Sequence, residues 1–397
     1  MGCGHSATAH LQKQPVFESN EAARRVYRIP ALLYERESKT LFAFAEQRKT
    51  SDDGSGEKLV MRTGKIKEES SEKTIEWSEL KQVEKALIKG HRPMNPCPVY
   101  DKVNKKLFLF FICVEDGITA RDQIENYDNR TRLCYITSNN LGKTWSDVTD
   151  LTDKVSDITN WSTFAVGPGH GIQTEGGRLI IPVYAYCSST CLLHCCCKPV
   201  ACSFSCCCKS YALSLYSDDP DKSWKFGQTL QSESGECQMA EVFEDNGSSF
   251  IYCNARSFCC SRVEAVSENK GFNFSKFRCT KLTETKCCSG CQGSVVSYPA
   301  QEQSGTAQGD PNQNKWLLFT HPTSKSRTID LGVYVNKSPR DPKAWSNPCI
   351  INNGLSGYSD LAYIDDGCFA CLFECGKHEI NEQIASVVFS YEDITKK

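Results

Sequence analysis

The chain contains no uninterrupted run of about 18 apolar residues, so no bilayer-spanning helix is expected. Its opening, Met1-Gly2-Cys3-Gly4-His5-Ser6, has no apolar h-region, and a secretory signal is not expected. Net charge is only -2, and no basic block is large enough to suggest a nucleic-acid footprint. Long stretches of helical periodicity are scarce, and Glu79–Ile88 is the best candidate for a helix. These absences exclude a helical membrane protein and a helical bundle.

Cysteine, by contrast, is abundant, at 25 residues. With no secretory signal, the thiols are expected to be reduced and a disulfide framework is not expected. The densest segment runs from Cys187 to Cys208 and holds the triplets Cys195-Cys196-Cys197 and Cys206-Cys207-Cys208. A tetrahedral zinc site needs spaced pairs, so the triplets fit it poorly. A surface loop of free thiols, acylated against a membrane or inert, fits better. Cys259-Cys260 and Cys287-Cys288 are similar. The N-terminus matches the myristoylation pattern, with Gly2 as acceptor, Ser6 in the required place and Cys3 available for palmitoylation. Two acyl chains anchor a protein where one binds weakly. Residues 1–13 therefore read as a tail, and 14–397 as one domain carrying the Cys-rich loop.

Short apolar runs recur along that domain: Leu41–Ala45, Leu107–Val114, Leu179–Tyr186, Phe250–Cys253, Trp316–Thr320 and Cys368–Phe373. Turn-forming residues such as Glu175-Gly176-Gly177 separate them. Many short strands over this length predict an all-β sandwich, barrel or propeller. A repeat favours the propeller. Ser138–Trp145 and Ser217–Trp224 share Ser first, an acid or amide third, Ser/Thr seventh and Trp eighth, and Ser267–Phe274 is a worn third copy. The copies lie 79 and 50 residues apart, or one to two blades at roughly 40–50 residues each. This turn resembles the Asp box of sialidases and related propellers.

The strand Val26–Tyr34 carries an arginine, Arg28, where an apolar residue is expected. One reading is an edge strand whose arginine reaches solvent. The other is a guanidinium fork fixed at a strand end to grip a carboxylate. Arg256 and Arg327 stand at comparable places on distant strands, and three such forks converge only at the centre of a closed structure. Carboxylates accompany them: Glu46, Asp52 and Asp53, Glu236, and Glu374. Tyr358 has an ordinary pKa near 10 and is a poor nucleophile alone. A carboxylate base and arginines beside it make its oxygen usable.

Tyr27-Arg28-Ile29-Pro30, Ala45-Glu46-Gln47-Arg48, Met94-Asn95-Pro96-Cys97-Pro98, Trp161–His170, Glu236-Cys237-Gln238, Asn254-Ala255-Arg256, Cys291-Gln292-Gly293-Ser294 and Tyr358-Ser359-Asp360-Leu361 together resemble the vertebrate exo-α-sialidases. The resemblance runs from about residue 14 to residue 375 and is nearest to the plasma-membrane ganglioside type. It implies a six-bladed β-propeller with the site at the mouth of its central channel. Arg28, Arg256 and Arg327 would clamp the sialic-acid carboxylate, with Glu374 orienting Arg28. Tyr358 would be the nucleophile, Glu236 its base and Asp53 the general acid/base, favoured over Asp52 by spacing from Arg48. Glu46, Met94, Asn95, Tyr184, Tyr186 and Gln292 would line the sugar pocket. No metal or cofactor is implied. The implied partners are gangliosides and other sialylated glycoconjugates at a membrane reached peripherally by lipid anchoring, with a cytoplasmic pool.

Two positions depart from the family pattern. The third arginine is expected two residues before Asp330, where Thr328 stands, and Arg327 is one earlier, with Lys325 as a fallback point charge. A loop glutamate expected over the glycerol arm is Ala120, and Arg121 and Asp122 are its candidate stand-ins. A non-catalytic sialoside-binding propeller is the rival reading, but it has no use for Asp53, Glu236 and Tyr358. A cysteine-rich metal or redox protein would explain the thiols and none of the motifs.

Overall fold

The computed structural model describes residues 11–395 except 70–71, 156–157, 159, 188–208, 286–288 and 301–313. The N-terminal acylation motif, nearly all of the Cys-rich loop and Cys287-Cys288 therefore lie outside the described residues.

The chain is all-β, with its sheets in a propeller-like arrangement. The first strand, β1 (Gln14–Glu18), joins the last sheet. The next sheet is β2 (Val26–Glu35), β3 (Thr40–Arg48), β4 (Gly56–Glu69) and β5 (Glu72–Trp77), with β6 (Lys81–Gln82) added to β4. Then come β7 (His91–Asp101), β8 (Lys106–Glu115), β9 (Thr131–Ser138) and β10 (Thr149–Asp150). The third sheet holds β11 (Trp161–Val166), β12 (Ile172–Gln173), β13 (Leu179–Cys187), β14 (Ser210–Asp219) and β15 (Ser223–Phe226). The fourth holds β16 (Cys237–Phe243), β17 (Ser249–Ala255), β18 (Val263–Ser267) and β19 (Ser275–Lys276). The last runs from β20 (Ser294–Pro299) through β21 (Lys315–Pro322), β22 (Ile329–Asn336), β23 (Cys349–Tyr363) and β24 (Cys368–Cys375) to β25 (Gln383–Ser390), where β1 pairs antiparallel. Five hydrogen-bonded sheets are thus described, where six blades were expected. The long β23 accounts for the difference. It pairs with β22 through Cys349–Leu355 and with β24 through Ser356–Tyr363, so the hydrogen-bond ladder passes through it unbroken.

Each of the six apolar runs is a strand, because alternate or continuous apolar residues can be buried only between packed sheets. Apolar clusters fill the spaces between neighbouring strand groups. Phe110 and Trp224, from the second and third sheets, meet edge to face at 4.7 Å. Such a pair adds about 0.5–1.5 kcal/mol beyond area burial.

The first and third of the predicted turns form the bonds their side chains require, whereas in the second Ser217 Oγ accepts from Asp219 N at 3.1 Å and donates to Ser223 O at 2.6 Å. In the first, Gly142 N donates to Ser138 Oγ at 2.9 Å and Thr144 N to Asn140 Oδ1 at 2.9 Å. The worn copy repeats this, Gly271 N to Ser267 Oγ at 2.9 Å and Asn273 N to Asn269 Oδ1 at 3.0 Å. Its Phe274 is buried where the others place Trp. Glu79–Ile88 is not a helix. It holds β6 and a turn, because Val83 and Ala86 are drawn into the core between the first two sheets of the ring. Their helix-like spacing comes from two loop residues pinned separately. The helices described are α1 (Ala120–Asn126) and α2 (Tyr391–Thr395).

Candidate active site

The site is assembled at the ends of the innermost strands. β2 is an edge strand, yet the Arg28 side chain does not simply reach solvent. Arg28 Nε donates to Glu374 Oε1 at 2.7 Å, and the arginine side chain is 18% exposed. The Ile29 amide donates to the same oxygen at 2.9 Å. Ile29 has φ 60°, a left-handed conformation that a β-branched residue adopts only under constraint. That strain costs on the order of 1–3 kcal/mol. The β2–β3 register shifts between Arg28 and Ala31, and Pro30 sits in this irregularity, where no ladder donor is needed. Glu374 keeps Arg28 firmly charged, its attraction outweighing the cost of burial.

Tyr358 lies on β23, whose backbone is held by the other oxygen of Glu374, which accepts from Tyr358 N at 3.2 Å. Gly357 permits this approach: a Cβ there would stand 2.5 Å from Glu374 Oε2. The Tyr358 hydroxyl donates to Glu236 Oε1 at 2.5 Å and accepts from Arg256 Nη1 at 2.9 Å. Arg256 Nη1 also reaches Glu236 Oε2 at 2.7 Å, and its Nε donates to Ser289 O at 2.8 Å. Arg28 lies over the Tyr358 ring, 5.8 Å from its centroid. Burial, followed by the Glu236 charge, pushes the Tyr358 pKa well above its ordinary value. The resting phenol is therefore neutral, already hydrogen-bonded to a base and facing a cation that would stabilise negative charge on its oxygen.

Asp53 stands on a short 3₁₀ turn beyond β3. Asp52 caps that turn by accepting from Gly54 N at 3.0 Å, which occupies it locally. Asp53 is 73% exposed at its side chain and is held by the buried Arg48, Nη1 to Oδ1 at 2.5 Å. Arg48 is fixed in turn by the buried Glu46, with Nε to Oε2 at 2.7 Å. A neutral phenol paired with a base, two held arginines and a separate accessible carboxylate suit nucleophilic attack and proton transfer at an anionic substrate.

A BNR repeat-like domain matches residues 39–371. The chain is 40% identical to Sialidase-3 of Bos taurus, covering 96% of this chain and 93% of that protein. It is 40% identical to Sialidase-2 of Mus musculus, covering 93% of each. The chain belongs to the sialidase family, a family of glycoside hydrolases. Among solved structures, the Hadza microbial sialidase Hz136 superposes with a TM-score of 0.74 at 18% identity, covering 96% of this chain and 69% of that one. The intramolecular trans-sialidase from Ruminococcus gnavus gives 0.69 at 16%, covering 97% and 98%. At these identities the likeness concerns the fold.

The remaining expected residues of this sialidase divide into those facing the site and those supporting it. Tyr184 and Tyr186 meet edge to face at 6.3 Å. Burial, followed by the Glu236 charge, raises both of their pKa values. Met94 and Asn95 are both 7% exposed on β7. Asn95 takes φ 55° and its amide donates to Glu46 Oε1 at 2.6 Å. With Arg48 on its other oxygen, Glu46 is fully engaged inside the protein. Gln292 is likewise internal: its Oε1 accepts from Ser359 N at 3.0 Å and its Nε2 donates to Pro168 O at 3.3 Å. Both act as braces for site residues rather than as open pocket walls.

Arg327 is placed by its main chain, whose carbonyl accepts from Thr285 Oγ1 at 2.7 Å. Its guanidinium is exposed and forms no ion pair among the described residues. It precedes β22, so its one-residue displacement falls in the turn after β21 and turns no strand face over. Ala120, expected in a loop, is the first residue of α1, and Asp122 is not a free stand-in. Its Oδ2 accepts from Thr119 N and Thr119 Oγ1, each at 2.7 Å, closing the capping box of α1. Arg121 is exposed beside it.

A buried layer beneath the site was not anticipated. Asp360 Oδ2 accepts from Leu32 N at 2.7 Å, while Oδ1 accepts from Ser294 Oγ at 2.7 Å and faces His170 Nδ1 at 2.8 Å. One carboxylate thus joins β2, β20, β23 and the loop after β11. Beside it, Glu284 Oε1 accepts from Arg262 Nη1 at 2.8 Å and from Ser257 N at 2.8 Å, and Oε2 faces His321 Nε2 at 3.1 Å. Burial would raise the Glu284 pKa, but Arg262 and His321 outweigh it and hold it at about 2. No helix among the described residues is long and apolar enough to cross a membrane.

Proposed function

We propose that this sialidase is a retaining exo-enzyme that releases terminal sialic acid from gangliosides and other sialylated glycoconjugates through a covalent sialyl-tyrosine intermediate. The single observation carrying this reading is Tyr358 hydrogen-bonded at once to Glu236 and Arg256. The anomeric carbon of sialic acid already bears a carboxylate, so a carboxylate nucleophile would be repelled. A neutral phenol is not, and sialidases are the recognised exception to the two-carboxylate scheme.

In this reading Arg28, Arg256 and Arg327 grip the substrate carboxylate. Tyr358 Oη attacks C2 as Glu236 takes its proton, and Asp53 protonates the departing glycosidic oxygen. Asp53 then deprotonates a water, which attacks C2. The C2–tyrosine bond breaks and Glu236 returns the proton. Two inversions leave the configuration retained. Met94, Asn95, Tyr184 and Tyr186 line the sugar, with Glu46 bracing Asn95 and Gln292 bracing Ser359 beside the nucleophile.

The propeller is read as six-bladed, with β20–β22 and β23–β25 as two blades fused through β23. Six apolar clusters, one between each neighbouring pair of strand groups, support the count. Acylation at Gly2 and Cys3 would hold the enzyme at the membrane where gangliosides reside. The test is release of free sialic acid by purified protein from mixed gangliosides and from a small aryl sialoside, with NMR of the first-formed anomer. Release from both as the α-anomer is expected. Binding without release would favour the non-catalytic sialoside-binding propeller.

A further inference from the structure

Arg92 belongs to none of the motifs described above, and it is 4% exposed on β7. A buried arginine is normally matched to a carboxylate. This one donates instead to three backbone carbonyls: Nε to Asp53 O at 3.2 Å, Nη1 to Glu115 O at 2.9 Å and Nη2 to Ile118 O at 2.6 Å. One carbonyl is that of Asp53 itself, and the others belong to the segment leading into α1. An open cleft of about 970 Å³ lies beside this bridge, with Gly54–Glu57 on one wall and Asp116–Gly117 on another. The two loops are therefore joined across the cleft by the planar guanidinium, which fits divergent acceptors where an ammonium cannot. Arg48 Nη1 holds the Asp53 carboxylate and, at 3.1 Å, Ser51 O at the start of the same loop, and the carboxylate is otherwise exposed.

We propose that Arg92 is a positioning residue that fixes the main chain of Asp53 and makes the placement of the acid/base depend on the 115–118 segment. The inference rests on Asp53 being the general acid. Arg48 sets the direction of the carboxylate and steadies Ser51, the Gly56 amide closes the turn on the Asp53 carbonyl, and Arg92 ties that carbonyl to the 115–118 segment. The Ile118 carbonyl of the segment after Glu115 is then one fixed point from which the acid is aimed. Displacing an acid by about 1 Å is enough to cost about 10²-fold in rate.

Loss of acid assistance has a signature that general damage lacks. It slows departure of a sugar alkoxide, which needs a proton, and spares departure of an acidic phenol. The experiment compares kcat/KM for sialyllactose and for an aryl sialoside in wild type, Arg92→Lys, a one-alanine insertion after Gly117, and Asp53→Asn. Arg92→Lys and the insertion are each expected to lose about 10–100-fold on sialyllactose and less than about threefold on the aryl sialoside. The insertion leaves Arg92 and the core intact, so it answers the question if Arg92→Lys does not fold, as judged by its melting transition. In the Asp53→Asn background, Arg92→Lys should add no further selective loss. Equal losses on both substrates, or additivity in that background, would overturn the inference. If Asp53→Asn itself shows no leaving-group selectivity, the acid assignment fails, and the positioning inference falls with it for a different reason.

Discussion

Glu374 and Tyr358 are joined through the backbone of the tyrosine: one oxygen of Glu374 accepts from Tyr358 N at 3.2 Å while the other holds Arg28 Nε at 2.7 Å. A single buried carboxylate thus sets the distance between Arg28, the proposed carboxylate-binding cation, and the proposed nucleophile. The strained Ile29 amide binds it as well. Preorganisation of this kind removes reorganisation from the chemical step.

Glu374→Gln tests that arrangement. The amide preserves shape but cannot satisfy Arg28, Ile29 N and Tyr358 N together as an acceptor, and Arg28 loses its counter-charge. KM for sialosides should rise about tenfold or more and stability should fall by about 3–5 kcal/mol, the range for breaking a buried pair. Steady-state kinetics and urea unfolding check both. An unchanged KM would mean Arg28 needs no orienting partner.

Tyr358→Phe removes only the oxygen that bonds Glu236 and Arg256. Turnover should fall by on the order of 10³-fold or more, with sialic-acid binding retained. Isothermal titration with a sialoside, beside the activity assay, separates binding from chemistry. Near-normal turnover would remove Tyr358 as nucleophile.

Much of the fold was legible because apolar runs bounded by turn residues have few alternatives to strands. Glu79–Ile88 misled because Val83 and Ala86 mimic helical spacing while serving as loop anchors in a core. Helix α1 was invisible to periodicity because its seven residues are set by the Thr119–Asp122 capping box. Arg28, Arg256, Glu236 and Tyr358 were legible because each sits in a distinctive local motif. Arg92, Asp360 and Glu284 were not, since their meaning lies in distant partners, such as Leu32 N for Asp360. Polar residues that bond to backbone leave no complementary residue in the sequence to find.

Arg327→Ala addresses the third fork. The guanidinium is exposed in the turn between β21 and β22, free to close on a substrate carboxylate. KM should rise about tenfold or more with kcat little changed, since a bidentate charged contact contributes about 1.5–3 kcal/mol. If KM is unmoved, Lys325→Ala becomes the informative variant.

Gly2→Ala with Cys3→Ser should move the enzyme from membrane to soluble fraction while leaving activity on a soluble sialoside intact. A single acyl chain binds only marginally, so each single variant should already shift part of the protein. Fractionation of expressing cells, with metabolic labelling by myristate and palmitate analogues, reads this directly. Unchanged partition of the double variant would remove the anchor.

Glu284 makes stability depend on pH in a defined direction. Its folded pKa of about 2 lies below the ordinary 4.5. Its contribution is therefore complete above about 4.5 and is lost as pH falls through 2. At neutral pH the shift corresponds to about 3 kcal/mol. His321, whose pKa burial lowers, adds a loss of the same sign beginning below its ordinary value of 6.5. Glu284→Gln should be strongly destabilising at pH 7, because Arg262 loses its buried partner. The gap between the two proteins should narrow as pH falls below 4.5, since the unfolded wild-type chain then takes up a proton at Glu284 that the folded carboxylate does not, and the amide takes up none. Urea midpoints at a series of pH values from 7 to 3 measure that gap. A constant gap would mean that the carboxylate charge contributes nothing and that the cost of the variant is packing alone.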